Sequence, residues 1–470
     1  MTENNDNVNN ALADYNQDPS PPEIEPDLDY FHLKNKKTNE ITGVFDVRIR
    51  EYIKKHHPLF MVSKLPYIYD HGYFKPDYNG TKLKTMISKC IYPAYVKATT
   101  IKRVFDLFVA DDELQASYDQ LNNYSDKLVN FRNGMFDAIN WKMLQHDPDY
   151  KSINQIPFDF NPDAKPEKNE IDAFLESAIP DLDDREMLLE YLGLCFTKDT
   201  SQQVFLILVG IGGSGKSTLI NMIINVIGKK NVSSVSLKGL SERFATADLV
   251  GKLLNSCADL EEGALDDPTV IKKLLGEDRM RGERKGQDAF DFESYAKLIF
   301  SSNDIPVIKA ERSDGFYRRL LVCPMYVKPD EVDPDLFNKL KECKSRFVYL
   351  CMRALMRLYK RGTILRSPHS EQYNKQLRND SDSVQAFLDE CMEQSPECKI
   401  ERRCLFEKYL KYCDQYQRIP VTNNRFYSSM RAKGYMETRD SQARYFIGIT
   451  VKTVTLIDTS DTDSNNNFDL

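Results

Sequence analysis

A chain of 470 residues, 41% of them hydrophobic, is too long for one ordinary domain and can bury two or three cores. Its ten cysteines include no C-x-x-C pair and its histidines number six, which argues for reduced thiols and against a zinc site. No apolar run has the length of a membrane span and no signal peptide is visible, so we expect a cytoplasmic protein without a membrane segment.

The net charge of −7 conceals a segregated distribution. Residues 1–29 carry eight acids and no Lys or Arg, and four aspartates without a base follow Lys452. Between these ends lie two basic islands, one of six Lys/Arg and no acid over 81–103 and one of nine Lys/Arg against four acids over 395–433. Interleaved with Tyr and Phe, such islands indicate a surface that follows nucleic-acid phosphates, or else solvated helix faces.

The first 200 residues predict an arm, a small domain and a pair of helices. Residues 1–28 have too few apolar side chains to fold and form a disordered acidic arm. Residues 29–164 predict an α+β accessory domain, with strands near 60–62 and 67–69 and helices near 83–91 and 101–108. Residues 165–202 predict a helical collar in which Asp183 or Asp184 caps the helix after Pro180.

Residues 204–224 have the order strand, glycine loop, helix. An apolar run at 204–209 is followed by a G-x-x-x-x-G-K-S loop that begins at Gly210. In such a loop the backbone N–H groups surround a polyphosphate, Lys216 reaches the β- and γ-phosphates and Ser217 holds Mg²⁺. The predicted cofactors are therefore ATP and Mg²⁺. The predicted binding residues are Gly210, Gly212, Gly213, Ser214, Gly215, Lys216, Ser217 and Thr218.

Two later apolar runs, 253–258 and 296–300, are predicted to be central strands of the same sheet. The first is followed by Asp259, Glu261 and Glu262, which suit a metal site and the activation of water. We expect Asp259 on the metal side and Glu261 or Glu262 at the water, and which acid does which stays open. Asn303, after the second run, is a candidate sensor of the γ-phosphate, although an Asn in that position is more often a turn former.

Basic residues mark two further segments. Residues 272–286 predict a hairpin whose Arg281, Arg284 and Lys285 grip a nucleic-acid backbone in the channel of a ring. Arg318 and Arg319 precede another apolar run, and an arginine supplied by a neighbouring subunit would make hydrolysis depend on assembly.

In order, these motifs resemble the superfamily 3 helicases, a branch of the AAA+ ATPases found in small viruses, phages and plasmids. The resemblance covers most of the chain. It is closest to the helicase half of satellite-phage and plasmid primase-helicases and to the poxvirus helicase-primase. The motifs that carry it are 130–137, 146–149, 158–164, 210–217, 259–263, 276–278, 303–306 and 317–320.

The resemblance implies a role for each matching residue. Lys216 and Ser217 would bind ATP and Mg²⁺, Asp259 with Glu261 or Glu262 would form the acidic box, Asn303 would be the sensor, and Arg318 or Arg319 the finger. Two positions depart from the pattern. Ser214 stands where the family commonly has Asn, and the usual hairpin lysine falls on Gln287, so that Arg284 or Lys285 would serve instead.

Residues 383–453 are similar to the winged-helix domain that ends this group. A helix with Arg425, Arg431 and Lys433 would be the DNA-recognition element, and Arg439 and Arg444 would lie on the wing. A role in binding another protein stays open for this module, because a fold does not determine a function. Nearby Cys391, Cys398, Cys404 and Cys413 are expected to pack in a core. Residues 454–470 predict an acidic disordered tail.

The predicted fold is a multi-domain α/β protein, with an AAA+ P-loop ATPase core at 203–366 joined to the accessory domain, the helical collar and the winged helix. The predicted function is an ATP-dependent hexameric DNA helicase in replication initiation of a phage, satellite or plasmid-like mobile element. The resemblance implies 3′ to 5′ travel. Expected partners are DNA, five further copies of the chain, and a primase or other replication proteins. Primer synthesis by this chain is not expected. The alternative is a DNA-binding initiator or repressor that uses the P-loop as a nucleotide switch.

Overall fold

The computed structural model describes residues 26–242, 244–257, 269–276, 279–285, 289–304, 314–329, 331, 333–416, 418 and 420–452. The chain divides into two compact units, of which the second comprises residues 261–269, 305–320 and 369–470 and the first comprises the rest. The terminal segments predicted to be disordered lie outside the described residues, apart from 26–28. Within the described ranges, every helix is too short or too polar to cross a membrane.

The N-terminal part of the first unit combines small antiparallel sheets with three helices. Apolar residues at helical spacing lie buried against one another, among them Ile49, Leu83 and Val104, one from each helix. The strands and helices predicted for this region are confirmed. The elements are β1 (His32–Lys34), β2 (Ile41–Val44), α1 (Asp46–His56), β3 (Leu59–Val62), β4 (Leu65–Asp70), β5 (Tyr73–Pro76), α2 (Thr81–Lys89), α3 (Ala98–Val109), β6 (Leu128–Phe131), β7 (Gly134–Asp137) and β8 (Lys142–Leu144).

Two helices, α4 (Glu170–Ala178) and α5 (Leu182–Leu194), follow in the predicted collar. The predicted cap of α5 is wrong. Asp181 caps this helix, because its carboxylate accepts the backbone N–H of Asp184 at 3.0 Å. Asp183 and Asp184 already lie in the first helical turn. The side chain that accepts the free N–H groups of that turn belongs to the N-cap residue, which precedes the helix.

A five-stranded sheet forms the centre of the first unit, in the order β10-β11-β14-β9-β15. The pairs β10–β11, β11–β14 and β14–β9 are parallel, so the carboxyl ends of β9, β11 and β14 share one edge. Both β9 and β14 are buried along their whole length, as apolar central strands of parallel sheets are. The strands are β9 (Phe205–Val209), β10 (Val232–Ser233), β11 (Leu254–Cys257), the separate hairpin of β12 (Met280–Gly282) and β13 (Phe290–Phe292), β14 (Lys297–Ser302) and β15 (Leu320–Pro324).

The helices of the first unit that follow the glycine loop are α6 (Lys216–Ile227), α7 (Thr269–Leu275, whose first residue belongs to the second unit), α9 (Leu336–Glu342) and α10 (Lys344–Arg361). The short helix α8 (Asp314–Tyr317) belongs to the second unit. Helix α10 packs so closely on α5 that a Cβ atom at Gly193 would lie 2.7 Å from the carbonyl oxygen of Cys351.

Arginines of α10 pair with acids of the two collar helices. Arg346 binds Asp172 at 2.6 Å, and Arg361 binds the fully buried Glu190. Burial alone would raise the pKa of Asp172, but the hydrogen bonds from Arg346 hold that pKa below its usual value. Removing either arginine would leave a buried carboxylate without its cation, which is costly. The collar helices are therefore tied to the helix that ends the predicted motor domain.

The described part of the second unit is built mainly from residues 369–452. Its helices are α11 (Pro368–Ser381), α12 (Ser383–Cys391), α13 (Arg402–Gln415) and α14 (Asn423–Ala432), and its strands are β16 (Met392–Glu401), β17 (Glu437–Arg439) and β18 (Arg444–Val451). The strands form an antiparallel sheet in the order β16-β18-β17. The predicted run of three helices and a hairpin is present, together with β16, which was not predicted. Cys413 is buried, whereas Cys391, Cys398 and Cys404 are half-buried.

Candidate functional site

The glycine loop lies at the shared carboxyl edge of the parallel strands. It connects β9 to α6, and the backbone N–H of Gly210 donates to the carbonyl of Ser302, the last residue of β14, at 3.2 Å. Because β14 is the parallel neighbour of β9, the residue that follows β14 lies beside the loop. Sheet topology therefore brings Asn303 to the loop although 87 positions separate it from Lys216.

Lys216 is the centre of this arrangement. Only 8% of the residue is exposed, and its ammonium donates to the carbonyl oxygens of Gly210 and Ile211, the latter at 3.0 Å. It also donates to the side-chain oxygen of Asn303 at 3.3 Å. The structure thus joins two residues that the sequence singled out separately.

Backbone conformation explains the glycines of the loop. Gly213 and Gly215 have φ of 82° and 94°, in the left-handed region where a side chain is strained. This turn leads directly into the N-terminus of α6, where backbone N–H groups without helical partners and the helix dipole favour an anion.

Gly210 and Gly212 differ in the space around them, which gives a testable contrast. A Cβ atom at Gly210 would lie 1.8 Å from the carbonyl oxygen of Met325, whereas one at Gly212 would have no neighbour within 4 Å. We expect Gly210→Ala to lower the free energy of unfolding by about 3 kcal/mol, since backbone must move. Gly212→Ala should change it by less than about 0.5 kcal/mol. Urea unfolding of both variants checks this, and equal stabilities would contradict the described approach of Met325.

Other side chains of the loop are compatible with a phosphate ligand. Among the described residues, the buried hydroxyl of Ser214 has no hydrogen-bond partner, and Ser217 is exposed at the start of α6. Thr218 is half-buried. These hydroxyls offer both donors and oxygen ligands of the kind that Mg²⁺ accepts.

Sequence reasoning missed a second lysine at the loop. The side chain of exposed Lys328 reaches Gly213, since a Cβ atom there would lie 3.5 Å from Lys328 Cε. Lys328 follows β15, which is the other neighbour of β9 in the sheet. The segment after β15 stays beside β9, because the backbone N–H of Met325 donates to the carbonyl oxygen of Val209 at 2.6 Å. The available signal was a cation shortly after a strand of the same sheet, but strand order was needed to interpret it.

The predicted acidic residues Asp259, Glu261 and Glu262 lie outside the described residues, as does Gln287. Strand β11 ends at Cys257 on the same edge as the glycine loop. The roles of these acids stay predictions.

The two candidate finger arginines lie in the second unit, directly after α8. The Arg318 side chain is exposed, whereas Arg319 is half-buried and donates to the carbonyl oxygen of Gly315 at 2.6 Å. Arg319 therefore helps to hold its own turn.

The hairpin predicted over 272–286 is only partly right, because residues 272–275 belong to α7 and β12 pairs with β13, which lies beyond the predicted segment. Part of the charge of the segment is engaged within the first unit. Arg281 lies 3.3 Å from Glu283, and Arg284 lies over the Phe290 ring at 5.2 Å. Phe290 in turn stacks on Tyr118 of the N-terminal region, with ring centroids 4.7 Å apart. Lys285 is exposed.

The basic residues of α14 also divide into engaged and exposed ones. Arg431 donates to Glu437 at 2.9 Å, and Lys433 donates to Asp382 and Gln385 at 2.7 Å each. Arg425 is exposed near the start of the helix. Arg431, which is exposed as Arg425 is, and Lys433 therefore help to hold the module together.

Two family models match parts of the chain. The family described as "D5 N terminal like" matches residues 9–180, and the "Family of unknown function (DUF5906)" matches residues 208–319. The second match includes the glycine loop, the basic hairpin and the arginine pair.

Curated viral proteins are similar to the chain as well. A protein of Acanthamoeba polyphaga mimivirus named "Putative helicase" is 25% identical over 398 residues, which are 76% of this chain and 40% of the relative. A protein of African swine fever virus named "Putative primase" is 22% identical over 315 residues, 60% of this chain and 32% of the relative. The chain thus spans less than half the length of these curated relatives.

Among solved structures, the apo A form of the NrS-1 C-terminal region matches with a TM-score of 0.48 and 12% identity, over 86% of this chain and 99% of that one. The chain is a relative of viral proteins named as a helicase and as a primase, and its fold is a mixed α/β fold with a central parallel sheet.

Proposed function

We propose that this chain is an ATP-driven DNA helicase of the superfamily 3 branch, acting in the replication of a virus or another mobile element. The observation that carries the proposal is the contact of Lys216 with Asn303 across two neighbouring parallel strands. A phosphoryl-transfer site needs a lysine on a glycine loop close to a side-chain amide at the end of the adjacent strand. The names of the viral relatives support a role in replication.

ATP and Mg²⁺ are the proposed cofactors of the glycine loop. When bound, Mg²⁺ supplies positive charge that neutralises the phosphates. Ser217 would be one of its ligands, with Asp259 as the proposed second. Lys216 would exchange its loop carbonyls for phosphate oxygens, and Lys328 would add a second cation above Gly213. Asn303 would then hold Lys216 in line and orient the attacking water with an acid among Glu261 and Glu262.

Hydrolysis is proposed to take place where two copies of the chain meet, in a ring of six. Arg318 is our choice for the finger, because its side chain is exposed and that of Arg319 is half-buried. A guanidinium is suited to the spread charge of a phosphoryl group in transfer. The 3′ to 5′ direction rests on the resemblance to superfamily 3.

The C-terminal module is proposed to be a winged helix that binds duplex DNA through α14 and the β17–β18 hairpin. Arg425 is exposed on the helix, and Arg439 and Arg444 are exposed on the hairpin. These last two lie directly opposite each other on paired strands. Like charges in such a pair are unfavourable unless an anion lies between them, which a phosphate would supply.

Arg444→Ala should therefore separate stability from DNA binding. We expect affinity for duplex DNA to fall by about tenfold and the free energy of unfolding to stay equal or to rise by about 0.2–0.5 kcal/mol, since a like-charge pair is removed. Arg403→Ala is the matched control, an exposed arginine of α13 that pairs with Glu407 one turn away. Duplex titration and urea unfolding measure both. A parallel loss of affinity in the Arg403 variant would contradict a specific wing contact.

Strand displacement from a forked DNA duplex tests the function as a whole. Release of the labelled strand should require ATP and should not occur with a non-hydrolysable analogue. Equal output with both nucleotides, or ATP-dependent duplex binding without any displacement, would instead identify a nucleotide switch. Making primers from ribonucleotides is a separate assay, in which we expect no product.

A further inference from the structure

An open groove of about 700 Å³ crosses the N-terminal region, away from the glycine loop. One wall is a face of α2, and the other part of the lining is the connection from α2 to α3 together with the first turn of α3 and Leu28. Its volume is in the range of about 300–1,000 Å³ that small organic ligands occupy. Its lining includes Leu28, Lys84, Lys89, Pro93, Val96 and Ile101.

The two walls differ in chemistry. The α2 wall presents lysines and hydroxyls at helical spacing, with Lys84 and Lys89 exposed. The other wall is apolar and includes Pro93 and Val96, both exposed, and the half-buried Ile101. Lysine and hydroxyl groups are the usual donors to phosphate oxygens, and an apolar surface suits the faces of bases. The groove therefore offers a phosphate side and a base side.

Charge around the groove is positive. The segment 81–103 contains six Lys/Arg and no acid. Lys84 donates to the carbonyl oxygen of Asn79, a neutral group, at 2.7 Å, and its ammonium lies 5.2 Å from the centre of the Phe105 ring. Two acids, Asp27 and Asp29, flank the groove residue Leu28 along the chain, and Asp29 is bound by Lys34 at 2.7 Å and by the Tyr92 hydroxyl.

We propose that this groove binds single-stranded nucleic acid, with its phosphates on Lys84 and Lys89 and its bases against the apolar wall. Tyr95, which precedes Val96 in the chain, is also exposed, and its ring lies edge-on to His32 at 6.2 Å. The inference does not depend on the motor, since the groove and the glycine loop share no residue. Through this groove the accessory region would bind a single strand even when no nucleotide occupies the glycine loop.

The test uses the full chain without nucleotide, with fluorescent oligothymidylate and oligouridylate, over about 50–200 mM salt. We expect Lys84→Ala/Lys89→Ala to weaken binding by about tenfold at the lower salt. The slope of log affinity against log salt should become shallower by about 1.4, because each phosphate contact on a single strand contributes about 0.7. Lys84→Arg/Lys89→Arg should restore both. The two oligonucleotides show whether DNA or RNA is preferred.

The matched control is Lys36→Ala/Lys37→Ala, which removes the same charge from exposed positions of the same region. It should bind as the unchanged chain does. An equal loss in both double variants would overturn the proposal, because net charge rather than the groove would then set affinity. So would displacement of the oligonucleotide by polyglutamate at equal charge concentration, which would indicate an acidic-peptide site. Melting temperatures of all variants should agree, and a variant that melts early is replaced by Lys84→Gln/Lys89→Gln.

Discussion

Replacing Lys216 with alanine is expected to slow ATP hydrolysis by about a hundredfold to a thousandfold, the usual effect of losing one charged donor to a reacting phosphate or oxyanion. Strand displacement should disappear with it. The lysine donates to two loop carbonyls and to Asn303, and none of these contacts spans the core, so the melting temperature should change little. Phosphate release and thermal unfolding measure the two effects.

Two further variants make the Lys216 result specific. Lys229→Ala removes an exposed lysine just after α6 and should leave hydrolysis unchanged. Asn303→Ala should retain nucleotide binding and slow hydrolysis, since the amide positions Lys216 rather than holding the nucleotide. If Asn303→Ala hydrolysed ATP normally, the contact between the two strands would have no part in the chemistry. A fully active Lys216→Ala chain would end the proposal of a P-loop motor.

Arg318→Ala is expected to slow hydrolysis by about a thousandfold or more while ATP still binds, as loss of an arginine finger does. Arg319→Ala should instead lower the free energy of unfolding by about 1–2 kcal/mol, because its hydrogen bond to the Gly315 carbonyl holds the turn before β15. Fluorescent-nucleotide titration, phosphate release and urea unfolding separate the two outcomes.

Mixing variants tests whether the arginine acts across an interface. Chains with Arg318→Ala and chains with Lys216→Ala should each be inactive. In a mixed ring, however, an intact glycine loop of the first chain meets an intact Arg318 of the second, and hydrolysis should partly return. No recovery on mixing, or normal hydrolysis by an Arg318→Ala chain that stays monomeric, would show that the finger is not supplied by a neighbour.

Local patterns in the sequence predicted the parallel sheet and its loop well. A run such as 204–209, apolar on both faces and followed by glycines, has few other structural solutions. The position of Asn303 was also predictable, because Asn303 directly follows an apolar run that forms a central strand. Which strand neighbours which does not follow from local pattern, and so Lys328 was missed although it reaches Gly213.

Contacts between distant segments account for the other misses. Strand β16 has the polar sequence MEQSPECKIE with a proline inside, so it lacks the alternation of an isolated strand. It forms by pairing with β18, with an irregularity between Gln394 and Lys399 where the proline lies. The ion pair of Arg346 with Asp172 joins residues 174 positions apart, and the pairing of Arg431 and Lys433 with acids of the same module was not predicted. Charge pattern alone does not tell a solvated arginine from a paired one.

The way the chain alternates between its two compact units affects how the protein can be dissected. Residues 305–320, with both arginines, belong to the same unit as 369–470, although α9 and α10 of the other unit lie between them in sequence. Within that unit Asn374 donates to the carbonyl oxygen of Leu320 at 3.0 Å. A truncation after residue 368 would remove this support as well as the C-terminal module. Loss of hydrolysis in such a shortened protein would therefore report damage near Arg318, and point substitutions are the better probe of what the C-terminal module binds.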